Sequence, residues 1–170
     1  ICFNQNQLIG NGLVLPSGPL RESLKSLNNA NIILINGEED SNFEKKILKI
    51  NKNLKIFYSF YKPLNIEQFR KKKLLALASI GNPNNFFKLL NDHKLEVKKK
   101  LVYPDHYKFS DKQIKNIIFE AEKDDYHIIM TEKDFSKFKY HKSNRLNYLK
   151  VSLELKQIEK FLNEIKEIYA

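Results

Sequence analysis

A disulfide within the chain is excluded at the outset, because its 170 residues carry one cysteine, Cys2. Without a partner for a bridge, a reducing compartment is the natural expectation, and Cys2 reads as a small buried hydrophobe in a strand. No stretch approaches the roughly 18 consecutive apolar residues of a membrane-spanning helix, and nothing near Ile1 resembles a signal peptide. A soluble chain is expected. The histidines at 93, 127 and 141 lack metal-ligand spacing, so no metal site is expected from these residues alone. No G-x-x-x-x-G-K-[ST] occurs either, which excludes a phosphate cradle of the P-loop kind within this segment. The chain begins at Ile1 with what reads as the middle of a strand, and its one methionine is Met130. It is therefore expected to be a piece of a longer protein.

Arginine is scarce as well. Of thirty basic residues only Arg21, Arg70 and Arg145 are arginine, against a formal net charge of +10. Proteins that read phosphate geometry or base edges favour the planar guanidinium fork, so a lysine excess is a weak nucleic-acid signal. Lys71–Lys73 and Lys98–Lys100 precede or enter strands without interleaved aromatics and read as solvated lysine. A positive field that attracts anionic headgroups or phosphorylated substrates remains open.

Hydrophobic residues make up 42% of the chain, enough for a real core. Short apolar runs at 31–35, 55–60, 74–80 and 126–131 read as buried strands. Between them lie segments of helical period. Ser110 and Gln113 form a capping box ahead of Ile114, Ile117, Ile118 and Ala121, and Ile158, Phe161, Leu162, Ile165 and Ile168 share a second face. This alternation predicts an α/β fold with a largely parallel sheet. A seam is expected between residues 40 and 62, where polar "EEDSNFEKK" gives way to a strand, and a second near "HKSNRLNYLKVSLE" (141–154).

Three strand ends or turns are sharply written. "GNGLVLPSGPLRE" (10–22) holds three of five glycines and two of five prolines. Gly18-Pro19 reads as a helix start with Leu20, Leu24 and Leu27 on one face. Its first-turn N–H groups would form an anion site, and Arg21 there would oppose the helix dipole by a few tenths of a kcal/mol unless it met a phosphate. The alternative is an exposed arginine paired with Glu22 or Glu38. "ALASIGNPNNFF" runs from a strand into Gly81, with Asn82 as N-cap and Pro83 at the first helical position. "IIMTEKDF" ends a strand in a Thr131-Glu132-Lys133-Asp134 corner. Ligands of open α/β sheets gather at such carboxyl ends.

"YPDHYKFS" (103–110) places Asp105 and His106 in a loop before the capped helix. A histidine beside a carboxylate is suited to act as a general base or to support one. The alternative is a structural histidine satisfying a loop carbonyl.

In this order, the motifs resemble the tetraacyldisaccharide 4'-kinase family, the lipid A 4'-kinases. "GNGLVLPSGPLRE" is similar to the family's G-N-G-x-L-L-P-A-G-P-L-R-E, with Val14 and Ser17 as mild substitutions. "ALASIGNPNNFF" resembles A-L-A-G-I-G-N-P-x-x-F-F, with Ser79 where glycine is usual. "YPDHYKFS" and "MTEKD" resemble F-P-D-H-H/Y-x-F-[ST] and M-T-E-K-D. Together they span residues 10 to 134.

The resemblance implies Rossmann-like αβα layers: the C-terminal portion of a P-loop-type kinase domain over 1–45, a second αβα domain over 46–154, and a C-terminal helix over 155–170. It implies phosphoryl transfer from ATP·Mg²⁺ to the 4'-hydroxyl of a tetraacylated glucosamine disaccharide 1-phosphate, giving lipid IVA at the cytoplasmic face of the bacterial inner membrane. Partners would be ATP, the lipid disaccharide and the membrane surface, with no nucleic acid. The family's Walker A loop, D-D-G-F-Q segment, membrane-associating helix and base aspartate would lie upstream of Ile1, leaving this segment inactive alone. Asp105 and His106 would be catalytic, with His106 polarising that base. Arg21, Glu22, Asn11 and Gly12 would bind substrate or phosphate, while Gly81, Asn82, Thr131, Glu132, Lys133 and Asp134 would line the cleft or hold its corner. Ser79 matters if backbone must approach a ligand closely there. Two other readings compete: a free-standing basic α/β module for anionic surfaces or nucleic acid, and a scaffold that kept the fold and lost the chemistry.

Overall fold

A computed structural model describes residues 1–169. In chain order the strands are β1 (Cys2–Asn4), β2 (Ile32–Asn36), β3 (Lys55–Pro63), β4 (Leu74–Ala78), β5 (Val97–Val102), β6 (His127–Thr131), β7 (Leu146–Leu149) and β8 (Val151–Leu155). The α-helices are α1 (Ser41–Leu48), α2 (Pro83–Asp92), α3 (Asp111–Lys123), α4 (Glu132–Phe138) and α5 (Ile158–Tyr169). They form two compact units, Ile1–Lys62 with Leu153–Ala170, and Pro63–Ser152. The units divide at 62/63 and 152/153, where 45/46 and 154/155 were expected, so residues 46–62 and α5 both group with the first unit.

In the first unit the sheet order is β1-β2-β3-β8, with β1, β2 and β3 parallel. Ile33 and Ile35 of β2 are fully buried against Leu27, Phe43, Ile47 and Leu54. Phe57 meets Phe161 of α5 edge-on at 5.2 Å. The polar seam expected over 40–62 is partly a helix: Asp40 accepts from the N–H groups of Asn42 and Phe43, and α1 buries Phe43 and Ile47 four residues apart. Such a cap is worth about 1 kcal/mol, and two apolar residues on one face suffice to dock so short an element. Cys2 lies in β1 as expected but is exposed, not buried.

The second unit is a parallel sheet of order β5-β4-β6-β7. Every residue of β4 is buried. Alternation divides the strand between two layers: Leu74, Ala76 and Ala78 pack with Phe86, Phe87 and Leu90 of α2, whereas Leu75 and Leu77 pack with α3 and α4 through Ile114, Ile117 and Phe138. A strand covered on both faces has no polar side, which is why 74–78 reads as an unbroken apolar run. The capping box at Ser110 and Gln113 is formed as expected.

β5 is an edge strand, and this explains the lysine run. Lys98 pairs with Glu96 at 2.8 Å, Lys99 with Glu120 at 2.9 Å, and Lys100 lies over the Phe87 ring. Lysines along an edge oppose pairing with another sheet.

Candidate active site

In the second unit the three strand-end motifs meet at one end of the sheet. β4 leads into Ser79-Ile80-Gly81, β5 into Tyr103-Pro104-Asp105-His106, and β6 into Thr131, the N-cap of α4. Tyr103 N–H donates to Ala78 C=O at 2.9 Å, which fixes the second loop beside the first.

Asp105 is the centre of this corner. Its Oδ1 accepts from His106 N–H at 2.9 Å and from Lys133 Nζ at 3.1 Å. Lys133 holds the Asp105 carboxyl below its ordinary range, with a smaller contribution from the His106 N–H. A β-carbon on Gly81 would stand 3.3 Å from Asp105 Oδ2, so glycine leaves that oxygen its room. His106 adopts φ +58°, a left-handed conformation that histidine, like asparagine and aspartate, takes more often than other non-glycine residues. Its side chain is 78% exposed, with Nε2 3.8 Å from Asp105 Oδ2. Among the described residues the ring's printed partner is the Asp105 carboxylate and not a loop carbonyl. Asn82 takes the N-cap position of α2 with Pro83 inside, yet its side chain makes no capping bond. Glu132 is exposed beside Lys133.

Asp134, expected to line the cleft or hold its corner, is fully buried beneath the corner. Its Oδ1 accepts from the Ser79 hydroxyl and from Lys137 Nζ at 2.9 Å; its Oδ2 accepts from Ser79 N–H at 2.9 Å and Thr131 Oγ1 at 3.0 Å. Thr131 Oγ1 accepts in return from Asp134 N–H at 3.2 Å. Burial pushes the Asp134 carboxyl up, but the Ser79 and Lys137 hydrogen bonds outweigh it and hold the group below its ordinary value. A buried carboxylate is tolerated only with such complete pairing. Ser79 is thus a buried ligand of Asp134. Lys137 was missed from sequence, although Thr131, Asp134 and Lys137 recur every three residues on one side of α4.

The remaining candidates, Asn11, Gly12, Arg21 and Glu22, belong to the first unit. Residues 10–22 form a loop closed on itself: Leu15 N–H donates to Leu20 C=O, Leu20 N–H to Leu13 C=O, and Asn11 Nδ2 to Ser17 C=O. A β-carbon on Gly18 would fall 2.3 Å from both Leu13 O and Asn11 Oδ1. No helix starts at Pro19. Leu20 is buried as a bridge partner of Val14, and a short 3₁₀ helix begins only at Leu24. The expected helix N-terminal anion site at Arg21 is therefore absent, because the chain there serves loop closure. Arg21 and Glu22 are exposed, and Glu38 pairs with Lys156 instead of Arg21. Arg21 and Glu22 border a hollow of about 330 Å³ whose walls include Phe3, Asn4 and Leu24.

Among the described residues no group of histidine, cysteine and carboxylate side chains is arranged to hold a metal. No helix among them is long and apolar enough to cross a membrane.

A mixed α/β protein with parallel sheets, carrying its polar candidates at strand ends, is the class this architecture defines. A family model for tetraacyldisaccharide-1-P 4'-kinase, LpxK, matches residues 1–169, and the chain belongs to that family. The tetraacyldisaccharide 4'-kinase of Pelagibacter ubique is 39% identical over 168 residues, covering 97% of this chain and 54% of the relative. That of Wigglesworthia glossinidia brevipalpis is 34% identical, covering 82% and 37%. The chain thus spans about half the length, or less, of the curated relatives it matches. The crystal structure of LpxK from Aquifex aeolicus in complex with ATP shares the fold at a TM-score of 0.65 and 21% identity, over 99% of this chain and 51% of that one.

Proposed function

We propose that this chain is part of an ATP-dependent lipid kinase that phosphorylates the 4'-hydroxyl of a tetraacylated glucosamine disaccharide 1-phosphate, forming lipid IVA. Family membership and the names of the relatives support that substrate, and the ATP held by the Aquifex protein supports the donor. The observation that carries the reading is the Asp105 corner, where a paired carboxylate, an open histidine and a lysine lie together at strand ends. In the proposed reaction the 4'-oxygen attacks the γ-phosphorus, the bond to ADP breaks, and the hydroxyl proton passes to a base. His106 supports that base, while Arg21 and Glu22 meet the phosphate or headgroup. Alignment and charge neutralisation dominate such transfers.

ATP and Mg²⁺ are assigned in this proposal mainly to parts of the protein outside this chain. The protein is placed by the same reading at the cytoplasmic face of the bacterial inner membrane.

The test is phosphate transfer from labelled ATP to the lipid disaccharide by the full-length protein. Replacement of His106 by alanine is expected to lower turnover by about 10²-fold, within the range of general acid–base effects. Unchanged turnover removes His106 from the mechanism, and absence of transfer by the unaltered protein removes the kinase reading.

A further inference from the structure

Asp105 is approached from two sides, by Gly81 after β4 and by Lys133 at the start of α4. Both approaches trace back to one buried group. Asp134 adjoins Lys133 in the chain and binds the N–H and hydroxyl of Ser79, two residues before Gly81. It also binds the hydroxyl of Thr131, so the end of β6 is tied to the same carboxylate. Lys137, the remaining partner, supplies the compensating charge at 2.9 Å.

We propose that Asp134 is a positioning residue for the Asp105–His106 corner, acting through Lys133 and backed by Ser79 and Lys137. The inference rests on the kinase reading of that corner. A purely structural role needs only that the buried charge be satisfied. The arrangement does more, since it fixes the two strand ends that carry the groups flanking Asp105. Asp134 touches no reacting atom in this role; it sets the geometry in which Lys133 meets Asp105.

The experiment uses the full-length protein and compares Asp134→Asn, Lys133→Met, the double variant and Ser79→Ala. Steady-state transfer to the lipid disaccharide is read alongside the NMR signals of the His106 ring. Asp134→Asn is expected to lower kcat about 10-fold with KM changed less than about twofold, as for a group that acts only as the reaction proceeds. In the Lys133→Met background its effect is expected to shrink to about twofold or less, because residues acting through one another are not additive. Ser79→Ala is expected to lower kcat about threefold by the same route. The His106 ring signals are expected to move in both Asp134→Asn and Ser79→Ala.

Wild-type kcat in folded Asp134→Asn, a full effect in the Lys133→Met background, or unmoved His106 signals would each overturn the proposal. If Asp134→Asn does not fold, Ser79→Ala decides by the same readouts. If the unaltered protein transfers no phosphate, the kinase reading fails, and the His106 signals alone still decide whether Asp134 positions the corner.

Discussion

Lys133 Nζ donates to Asp105 Oδ1 at 3.1 Å, from the helix that follows β6 to the loop that follows β5. Both side chains are substantially exposed, and solvent screens such a pair so that it adds little to stability. Its consequence is orientation and charge state.

Replacing Lys133 with methionine is therefore expected to change the melting temperature little. The Asp105 carboxyl, which Lys133 holds below its ordinary range, is expected to titrate at higher pH in the variant. NMR of the carboxyl carbon against pH reads this directly. A titration that stays where it was in the unaltered protein would show that Lys133 is not what holds the group down.

Gly81 provides a steric test of the same corner. Its φ is not in the left-handed region, so alanine is compatible with the backbone, but the new methyl group would sit 3.3 Å from Asp105 Oδ2. Asp105 has to give way by a few tenths of an ångström. Gly81→Ala is expected to leave stability within about 1 kcal/mol while lowering turnover of the full-length protein several-fold, by about 1 kcal/mol in activation free energy. Turnover equal to that of the unaltered protein counts against close packing at Asp105.

The second sheet was the most legible part of the fold, because burial on both faces leaves 74–78 without a polar residue and makes 126–131 nearly so. The corner was legible for a related reason: strand ends followed by proline, glycine or a capping threonine mark where side chains leave the sheet. Helix α1 was not legible, since its two apolar residues are diluted by lysine and glutamate in a stretch that reads as a polar seam. Pro19 misled more deeply. Gly-Pro suits a helix start, yet here Leu20 is held by backbone bonds to Leu13 and Leu15, contacts that local propensity does not register. The depth of Asp134 was equally hidden, because only the folded structure brings Ser79, 55 positions away in the chain, against it.

The loop over 10–22 uses its glycines in different ways, and substitution separates them. Gly12 has φ +79° with open space around it, so Gly12→Ala is expected to cost about 1 kcal/mol from backbone strain alone. Gly18 has no such φ but has Leu13 O and Asn11 Oδ1 where a β-carbon would go. Backbone cannot yield as a flexible side chain does, so Gly18→Ala is expected to cost about 2–3 kcal/mol and to open the loop. Chemical denaturation with hydrogen exchange at Leu15 and Leu20 measures both. Equal costs, or retained protection at Leu20 in Gly18→Ala, contradict the packing described.

His127 sets an acid limit on stability. Its Nδ1 is buried with no hydrogen-bond partner among the described residues. Burial lowers its pKa first, Lys72 and Arg145 lower it further, and Asp125 opposes them weakly. The folded state therefore favours the neutral ring, whereas the unfolded chain takes up a proton near the ordinary value of about 6.5. With the folded pKa depressed, this contribution is fully present above that value and declines as pH falls through it toward the folded pKa, because the unfolded state then binds more protons. A His127→Gln variant has no proton to take up, so its melting temperature is expected to fall less between pH 7.5 and pH 5.5 than that of the unaltered protein. The comparison is a pair of thermal melts across that interval. Parallel slopes in the two proteins would mean that the acid sensitivity has another origin.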